Sequence, residues 1–189
     1  MQTTEVKRMD CCSTEAPAEV AVNVAEVLAS DPENAPAPQD DPQHACTNCK
    51  GSSRPVTRKT MLLMLKPERF DEAEESEYHF CSAPDCRVVY FTEGSGVAFT
   101  TDDVRVRVGL KEKADPIPLC YCFGFDEAGA RAEISVTGRC TIPQRISALI
   151  KQGMCACPAR NPSGACCLGE VNRAVKRLLA EAAPAMQPV

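Results

Sequence analysis

Short runs of apolar and β-branched residues recur from residue 46 to about residue 109 and predict a set of short strands. In VRVRV, at 104–108, valines alternate with arginines, as in a strand with one buried and one exposed face. The EGSG segment that follows VVYF predicts a hairpin turn. In MLLML, at 61–65, we expect Met61 and Met64 to belong to the core of a strand. The strand candidates are PVTRKTMLLML, YHF, VVYF, VAF and VRVRVG.

After residue 122 the apolar positions recur at helical spacing and predict three helices. The first is expected to begin at an Asp126 cap and to end at Gly138. In the second, Thr141 and Gln144 fit a capping box, and Gly153 would end the helix. The third is GEVNRAVKRLLAEAA, whose inward face is predicted to consist of Val171, Val175, Leu178 and Leu179.

These patterns predict an α+β protein with two small folded domains between two tails. Residues 1–45 are rich in alanine, proline and acidic residues, and predict a flexible tail with at most a short helix near 18–29. Residues 46–115 predict a β domain, residues 116–182 a helical domain, and residues 183–189 a disordered tail. Because each folded domain is short of core, we expect each to need a metal to fold.

Charge and composition reduce the number of function classes that fit the sequence. The net charge is −5, but residues 46–189 hold nineteen basic and seventeen acidic residues, so the folded part is close to neutral. A near-neutral body has no basic stripe for a phosphate backbone, which argues against a nucleic-acid partner. No secretory signal or membrane span is readable, so we expect a cytoplasmic protein without membrane insertion, whose thirteen cysteines are reduced.

The first cysteine set consists of two closely spaced pairs and predicts a zinc-ribbon-like site. Two residues separate Cys46 from Cys49, and Cys81 and Cys86 flank a Pro-Asp turn. Short loops of this kind let two thiolates converge on one ion, and two such loops complete a tetrahedron. With all four positions taken, the ion would be structural. The alternatives are four ordinary buried thiols, or replacement of one ligand by His44 or His79, for which we favour surface or hydrogen-bonding roles.

The second cysteine set lies around the predicted helices and has the spacing of an iron–sulfur site. One residue separates Cys120 from Cys122, so an extended segment could present both sulfurs to one iron. Cys157 and the adjacent Cys166 and Cys167 precede the final helix, where unpaired N–H groups and the helix dipole stabilise negative charge. Because adjacent residues at a helix start cannot both face one metal, one of the last two should be a spare.

A family resemblance sharpens these expectations. The C-x-C pair followed by cysteines before a final helix resembles the bacterioferritin-associated ferredoxins, which hold a 2Fe-2S cluster. YHFCSAPDCRVVYF, VRVRVGLKE, PLCYC and NPSGACC, in that order, resemble the family of the CopZ N-terminal domain over roughly residues 46–180. That family combines a mononuclear zinc site with a 2Fe-2S cluster, so the resemblance implies that residues 116–182 are a 2Fe-2S domain.

The resemblance also implies a ligand set for each metal. Zinc would be bound by Cys46, Cys49, Cys81 and Cys86, and the 2Fe-2S cluster by Cys120, Cys122, Cys157 and Cys167. Cys155 and Cys166 lie next to these ligands in the sequence and could replace one of them. Cys140 precedes a helix and is expected to be a packed thiol without a role.

The sequence shows no copper-binding loop of the Met-x-Cys-x-x-Cys type that the family's full-length copper chaperone carries in a C-terminal heavy-metal-associated domain. The candidate replacement is the vicinal pair Cys11 and Cys12 in the N-terminal tail. Exposed adjacent thiols on a flexible tether suit transient capture of a soft ion such as copper(I) or mercury(II). The alternative is that this pair is incidental.

Three classes of function remain open. We favour a redox partner or metallochaperone in copper or other heavy-metal handling, whose partners would be metal ions and a metal-transporting ATPase or a redox protein. The second class is a ferredoxin-like electron carrier without a heavy-metal role, and the third is a zinc-only scaffold. Walker, dinucleotide-binding, Gly-x-Ser-x-Gly and His-Glu-x-x-His motifs are absent from the sequence. We therefore expect electron transfer or metal carriage rather than catalysis.

Overall fold

The computed structural model describes residues 44–183. Its strands are β1 (Ser53–Val56), β2 (Tyr78–Cys81), β3 (Val88–Thr92), β4 (Ala98–Thr100), β5 (Pro118–Cys120) and β6 (Phe125–Asp126). Its α-helices are α1 (Arg58–Met64), α2 (Glu127–Thr137), α3 (Ile142–Lys151), α4 (Cys157–Arg160) and α5 (Leu168–Ala182), with 3-10 turns at Pro67–Glu72 and Gly109–Lys111. Within 44–183, no helix has the length and apolar character that crossing a membrane requires.

The N-terminal half is an antiparallel sheet in the order β1-β2-β3-β4. The hairpin turn between β3 and β4 is confirmed, with Gly94 and Gly96 in the left-handed region. Residues on the two faces of β2 belong to different hydrophobic clusters. Tyr78 and Phe80 pack in the larger cluster on one face, and Cys81 packs in a smaller cluster on the opposite face. The sheet therefore has apolar contacts on both faces, and one face carries cysteines.

The MLLML segment is a helix, so the predicted strand is wrong there. Helix α1 begins after Thr57, whose side-chain oxygen accepts a hydrogen bond from the Thr60 backbone N–H at 3.1 Å. Met61 and Met64 are three residues apart and are both buried, so the expectation that they are core residues is confirmed. An uninterrupted apolar run suits a buried strand or a buried helix, and the Thr57 cap decides for the helix.

The VRVRV segment forms no extended strand either. Its ladder is limited to a bridge between Val104 and Leu65, and the 3-10 turn Gly109–Lys111 follows directly. The predicted alternation nevertheless governs burial, because Val104 and Val108 are buried while Arg105 is exposed. The alternation of valine and arginine therefore predicted which side chains face the core, although the segment forms no regular strand.

The three predicted helices are present as α2, α3 and α5. Asp126 caps α2 by accepting a hydrogen bond from the Gly129 N–H at 2.8 Å, and Gly138 ends the helix in the left-handed region. The predicted capping box at Thr141 is wrong, because the Thr141 side chain accepts no hydrogen bond from the backbone of α3. Instead, the Thr141 N–H donates to Glu133 at 2.7 Å, so a carboxylate from α2 fixes the start of α3.

The helical half has a hydrophobic core of its own, to which Leu119, Ile134, Ile146, Val171 and Leu178 contribute. Two buried hydroxyl groups connect it to the sheet half: the Thr60 hydroxyl donates to the Pro158 carbonyl at 2.8 Å, and the Tyr90 hydroxyl donates to the Pro162 carbonyl at 2.7 Å. The described chain is thus a mixed α/β structure with an antiparallel sheet followed by helices. The division into two domains at residue 115 stays a prediction.

Candidate metal centres

The first centre begins with a tight loop before β1. The Lys50 N–H donates to the Cys46 carbonyl at 2.9 Å, and Lys50 itself has a φ of 58°. The Gly51 N–H then donates to the Cys49 sulfur at 3.3 Å. This turn holds both thiols of the first pair on one side of the loop. Gly51 leaves space between the two loops, because a Cβ at residue 51 would lie 3.0 Å from the Ala83 Cβ and 3.2 Å from the Cys49 sulfur.

The second loop follows β2 and faces the first. Cys81 is the last residue of β2, and the Cys86 N–H donates to the Ala83 carbonyl in the turn that precedes β3. The Lys111 ammonium group donates to the carbonyls of Ala83 at 2.9 Å and of Cys86 at 3.0 Å. A cation from the 3-10 turn therefore fixes the second loop and lies near its sulfurs.

The structure brings the four predicted zinc ligands together. The Cys46 and Cys86 sulfurs are 4.0 Å apart, those of Cys49 and Cys81 are 3.7 Å apart, and all four lie within 4.8 Å of one another. Two sulfurs that share a tetrahedral zinc at about 2.3 Å lie ~3.8 Å apart. The donor type, number and spacing of this group therefore fit zinc. His44 and His79 belong to a separate group of donor atoms.

The surroundings of this centre act differently on its thiols. Burial raises the pKa of Cys81. Burial also opposes ionisation of Cys86, but hydrogen bonds from the Asn48 amide and the Val88 backbone outweigh it and lower the pKa to about 7. The Asn48 nitrogen is 3.4 Å from the Cys86 sulfur. One sulfur is thus prepared to be a thiolate, the form in which cysteine binds a metal.

The second set comes from three segments of the helical half. Cys120 ends β5, Cys122 follows in the turn to β6, Cys157 begins α4, and Cys167 immediately precedes α5. The Cys122 and Cys157 sulfurs are 3.8 Å apart. Among residues 44–183, no three sulfurs of this second set lie as close to one another as the four sulfurs of the first centre do. The second set is therefore spread more widely.

The surroundings of the second set also act differently on its thiols. Interaction with the neighbouring Cys167 thiol lowers the pKa of Cys120 to about 7 and that of Cys157 to about 6. Interaction with Cys120 and Cys157 raises the pKa of Cys167 itself. Burial raises the pKa of Cys122 to about 11, although the Ala156 N–H donates to its sulfur at 3.3 Å. Two of the four predicted ligands are thus prepared to be thiolates, the form in which cysteine binds a metal.

The neighbouring thiols differ in exposure from the predicted ligands. Cys120, Cys157 and Cys167 are buried, whereas Cys155 and Cys166 are exposed. This difference favours Cys167 as the inward member of the adjacent pair. Cys140 is half-buried, with its sulfur 3.8 Å from a Glu133 oxygen. Cys11 and Cys12 lie outside the described residues.

Two residues that support the first centre were missed by sequence reasoning, namely Asn48 and Lys111. Asn48 lies inside the C-x2-C loop, and its amide could have been recognised as a donor to sulfur. Lys111 is 25 residues beyond Cys86 in the sequence, and only the return of the chain past the second loop makes it a neighbour.

Comparisons with known proteins agree with the first centre. Residues 43–105 match the family model described as a zinc binding domain, zf_CopZ. The chain is 31% identical over 137 residues to the copper chaperone CopZ of Archaeoglobus fulgidus, an alignment that covers 68% of the chain and 60% of that protein. The chain therefore spans less than two thirds of the length of this relative.

A solved structure is similar as well. The X-ray structure of the Archaeoglobus fulgidus CopZ N-terminal domain superposes with a TM-score of 0.57 and 28% identity, covering 69% of the chain and 96% of that domain. The expected resemblance to the family of the CopZ N-terminal domain is confirmed in the zinc-binding segment and in the overall mixed α/β fold. The 2Fe-2S centre and the similarity to ferredoxins stay predictions.

Proposed function

We propose that this protein binds one zinc ion and one 2Fe-2S cluster and acts as a redox partner or metallochaperone in copper or other heavy-metal handling. The observation that carries the proposal is the meeting of four cysteine sulfurs within 4.8 Å of one another, supported by a second cysteine set in which the Cys122 and Cys157 sulfurs are 3.8 Å apart. A single group would need only one metal, whereas two groups with different spacing favour two different metals. The name of the CopZ relative supports the assignment to copper.

The zinc ion would be held by Cys46, Cys49, Cys81 and Cys86 and would have a structural role. Four thiolates leave no open position for water or substrate, so the ion joins the loop before β1 to the loop after β2. Asn48 donates to the most acidic of these sulfurs, and Lys111 offsets part of the negative charge of a four-thiolate site. These residues orient the ligands.

The 2Fe-2S cluster would be held by Cys120, Cys122, Cys157 and Cys167, and when bound it would accept or give a single electron. The protein's own part is to bury three of the sulfurs and to direct the Ala156 N–H at the fourth. Hydrogen bonds to sulfur and burial are two determinants of the reduction potential of such a centre. The Arg160 guanidinium, which donates to the Cys122 carbonyl at 3.3 Å, holds the Cys122 turn against α4.

The first test is the metal content of anaerobically purified protein. We expect about two irons, two sulfides and one zinc per chain, with an S = 1/2 EPR signal after dithionite reduction. Zinc without iron, and no signal after attempted cluster reconstitution, would favour the zinc-only scaffold. Iron and zinc without copper(I) binding would favour the ferredoxin-like electron carrier.

Single substitutions separate the two centres. Cys86→Ser should lose the zinc and keep the iron, whereas Cys122→Ser should lose the iron and its EPR signal and keep the zinc, because each removes a ligand from one group only. Cys140→Ser is the matched control, since its thiol belongs to neither group, and it should keep both metals. Loss of zinc from Cys122→Ser, measured by elemental analysis, would contradict the assignment of separate centres.

A further inference from the structure

A third group of metal-binding side chains lies apart from the cysteines. The group consists of His44, His79 and Glu93, whose nitrogen and oxygen donor atoms all lie within 4.8 Å of one another. The His44 Nδ1 atom is 2.6 Å from a Glu93 carboxylate oxygen. These two imidazoles belong to the only histidines in the sequence, so both histidines of the chain meet at one place.

The sheet places these three residues together. His79 is in the middle of β2 opposite Phe91 of β3, and its ring stacks on the Phe91 ring with centroids 5.5 Å apart. Glu93 directly follows β3 at the start of the hairpin turn. His44 comes from the segment before the first cysteine loop, where the Ser53 hydroxyl donates to its carbonyl. Three separate segments thus converge, and pairing of β2 with β3 sets the position of two of them.

The rings of the two histidines are stacked, with centroids 4.5 Å apart and an angle of 21° between their planes. The His79 ring is buried and wedged between two other rings, so its position is set. The His44 side chain is 32% exposed, so its ring is accessible to solvent. One donor atom from each of the two imidazoles and from the Glu93 carboxylate already lies within 4.8 Å of the others.

We propose that His44, His79 and Glu93 form an open binding site for a first-row divalent metal ion, distinct from both cysteine centres. Two imidazoles and one carboxylate suit zinc, nickel(II), iron(II) and copper(II), and the Irving–Williams order makes copper(II) the ion bound most tightly. This donor set differs from the thiolates of the other centres, which select softer ions. The inference does not depend on the iron–sulfur cluster or on a role in copper transfer.

The site is open on one side. His44 and His79 line a cavity of about 560 Å³ together with Pro55, Thr57 and Glu77, among others. With three protein ligands, a bound ion would keep at least one position for water or for another ligand, and that position would face the cavity. The site therefore resembles an entry or exchange site for a metal ion rather than a closed structural one.

The test uses nickel(II) as the probe, because the cysteine thiols would reduce copper(II). The full chain is first loaded with a single equivalent of zinc, which the four-cysteine site takes and which leaves the histidine site available. We expect calorimetry to detect an additional equivalent of nickel(II), and NMR of labelled histidine to show that both imidazoles respond. His44→Gln and Glu93→Gln should each weaken this binding by more than the ~10-fold at which even outer-shell partners of a metal are felt. Both side chains are partly exposed, so neither change should prevent folding.

The matched control is Glu77→Gln, since Glu77 lines the same cavity but its carboxylate is not among the three donors. It should bind nickel(II) as the unmodified chain does, and all three variants should retain the zinc at the cysteine site. Unchanged imidazole signals on addition of nickel(II), or equal affinity in His44→Gln and the unmodified chain, would overturn the proposal. A result of either kind leaves the zinc and cluster assignments unaffected.

Discussion

At the scale of single residues, Gly109 lies where two backbone segments approach each other closely. A Cβ at residue 109 would lie 2.0 Å from the Pro118 carbonyl oxygen, in the segment that leads into Cys120. The Gly109 N–H donates to the Tyr121 hydroxyl at 2.8 Å, and that hydroxyl donates to the Arg107 carbonyl at 3.1 Å. A glycine is therefore required for close packing of the backbone next to the second cysteine set.

We expect Gly109→Ala to lower the free energy of unfolding by about 1–3 kcal/mol or more, because overpacking against backbone cannot be relieved by a side-chain rotation. Chemical denaturation measures this. Gly169→Ala is the matched control: its Cβ would meet nothing closer than an Arg173 nitrogen at 3.9 Å, within helix α5. Alanine should stabilise the helix there by about 0.5–1 kcal/mol. Equal effects of the two substitutions would contradict the close approach at residue 109.

At the scale of elements, two buried hydroxyl groups, one from a tyrosine and one from a threonine, connect the sheet half to the segments that carry the second cysteine set. The Tyr90 hydroxyl of β3 donates to the Pro162 carbonyl, and the Thr60 hydroxyl of α1 donates to the Pro158 carbonyl in α4. Burial raises the pKa of Tyr90, so the phenol stays protonated and remains a donor. The segment between Cys157 and Cys167 is thus held by the sheet half.

We expect Tyr90→Phe to lower the free energy of unfolding by about 1–3 kcal/mol, because the substitution leaves the buried Pro162 carbonyl without its hydroxyl donor. Tyr78→Phe is a matched control in the neighbouring strand, where the hydroxyl donates to the Glu74 carbonyl at 3.2 Å in a less buried position. Tyr78→Phe should lower the free energy of unfolding by a smaller amount than Tyr90→Phe. Thermal unfolding of both variants measures the two decreases in stability. Equal decreases would count against a special role for the Tyr90 contact.

Element prediction from sequence succeeded where one local signal was sufficient. Helix α2 was predicted with its Asp126 cap and its Gly138 end, because both are short-range features. Helix α1 was missed because an apolar run bounded by β-branched residues fits a buried strand equally well. The start of α3 after Thr141 was predicted correctly, but its capping contact was not, because the Thr141 N–H donates to Glu133, eight residues away on another helix, which no local motif contains.

At the scale of the whole molecule, the proposed function depends on a route by which a soft metal reaches the chain. The candidate is the pair Cys11 and Cys12, outside the described residues. Replacing both with serine should abolish copper(I) binding measured by competition with a colorimetric chelator, because vicinal thiols are the soft donors of that segment. Zinc and iron contents should not change. Unchanged copper(I) affinity would contradict the pair as the capture site.

The sequence by itself determined the local parts of this protein: the two closely spaced cysteine pairs, the three longer helices of the C-terminal half and the inward valines of VRVRV. These depend on residues a few positions apart, whose geometry the backbone restricts directly. Tertiary structure alone decided that Cys46 meets Cys86, 40 residues away, and that Cys122 meets Cys157, 35 residues away. It also decided that His44, His79 and Glu93 converge. Such contacts depend on strand register and on packing between halves, which spacing along a chain does not encode.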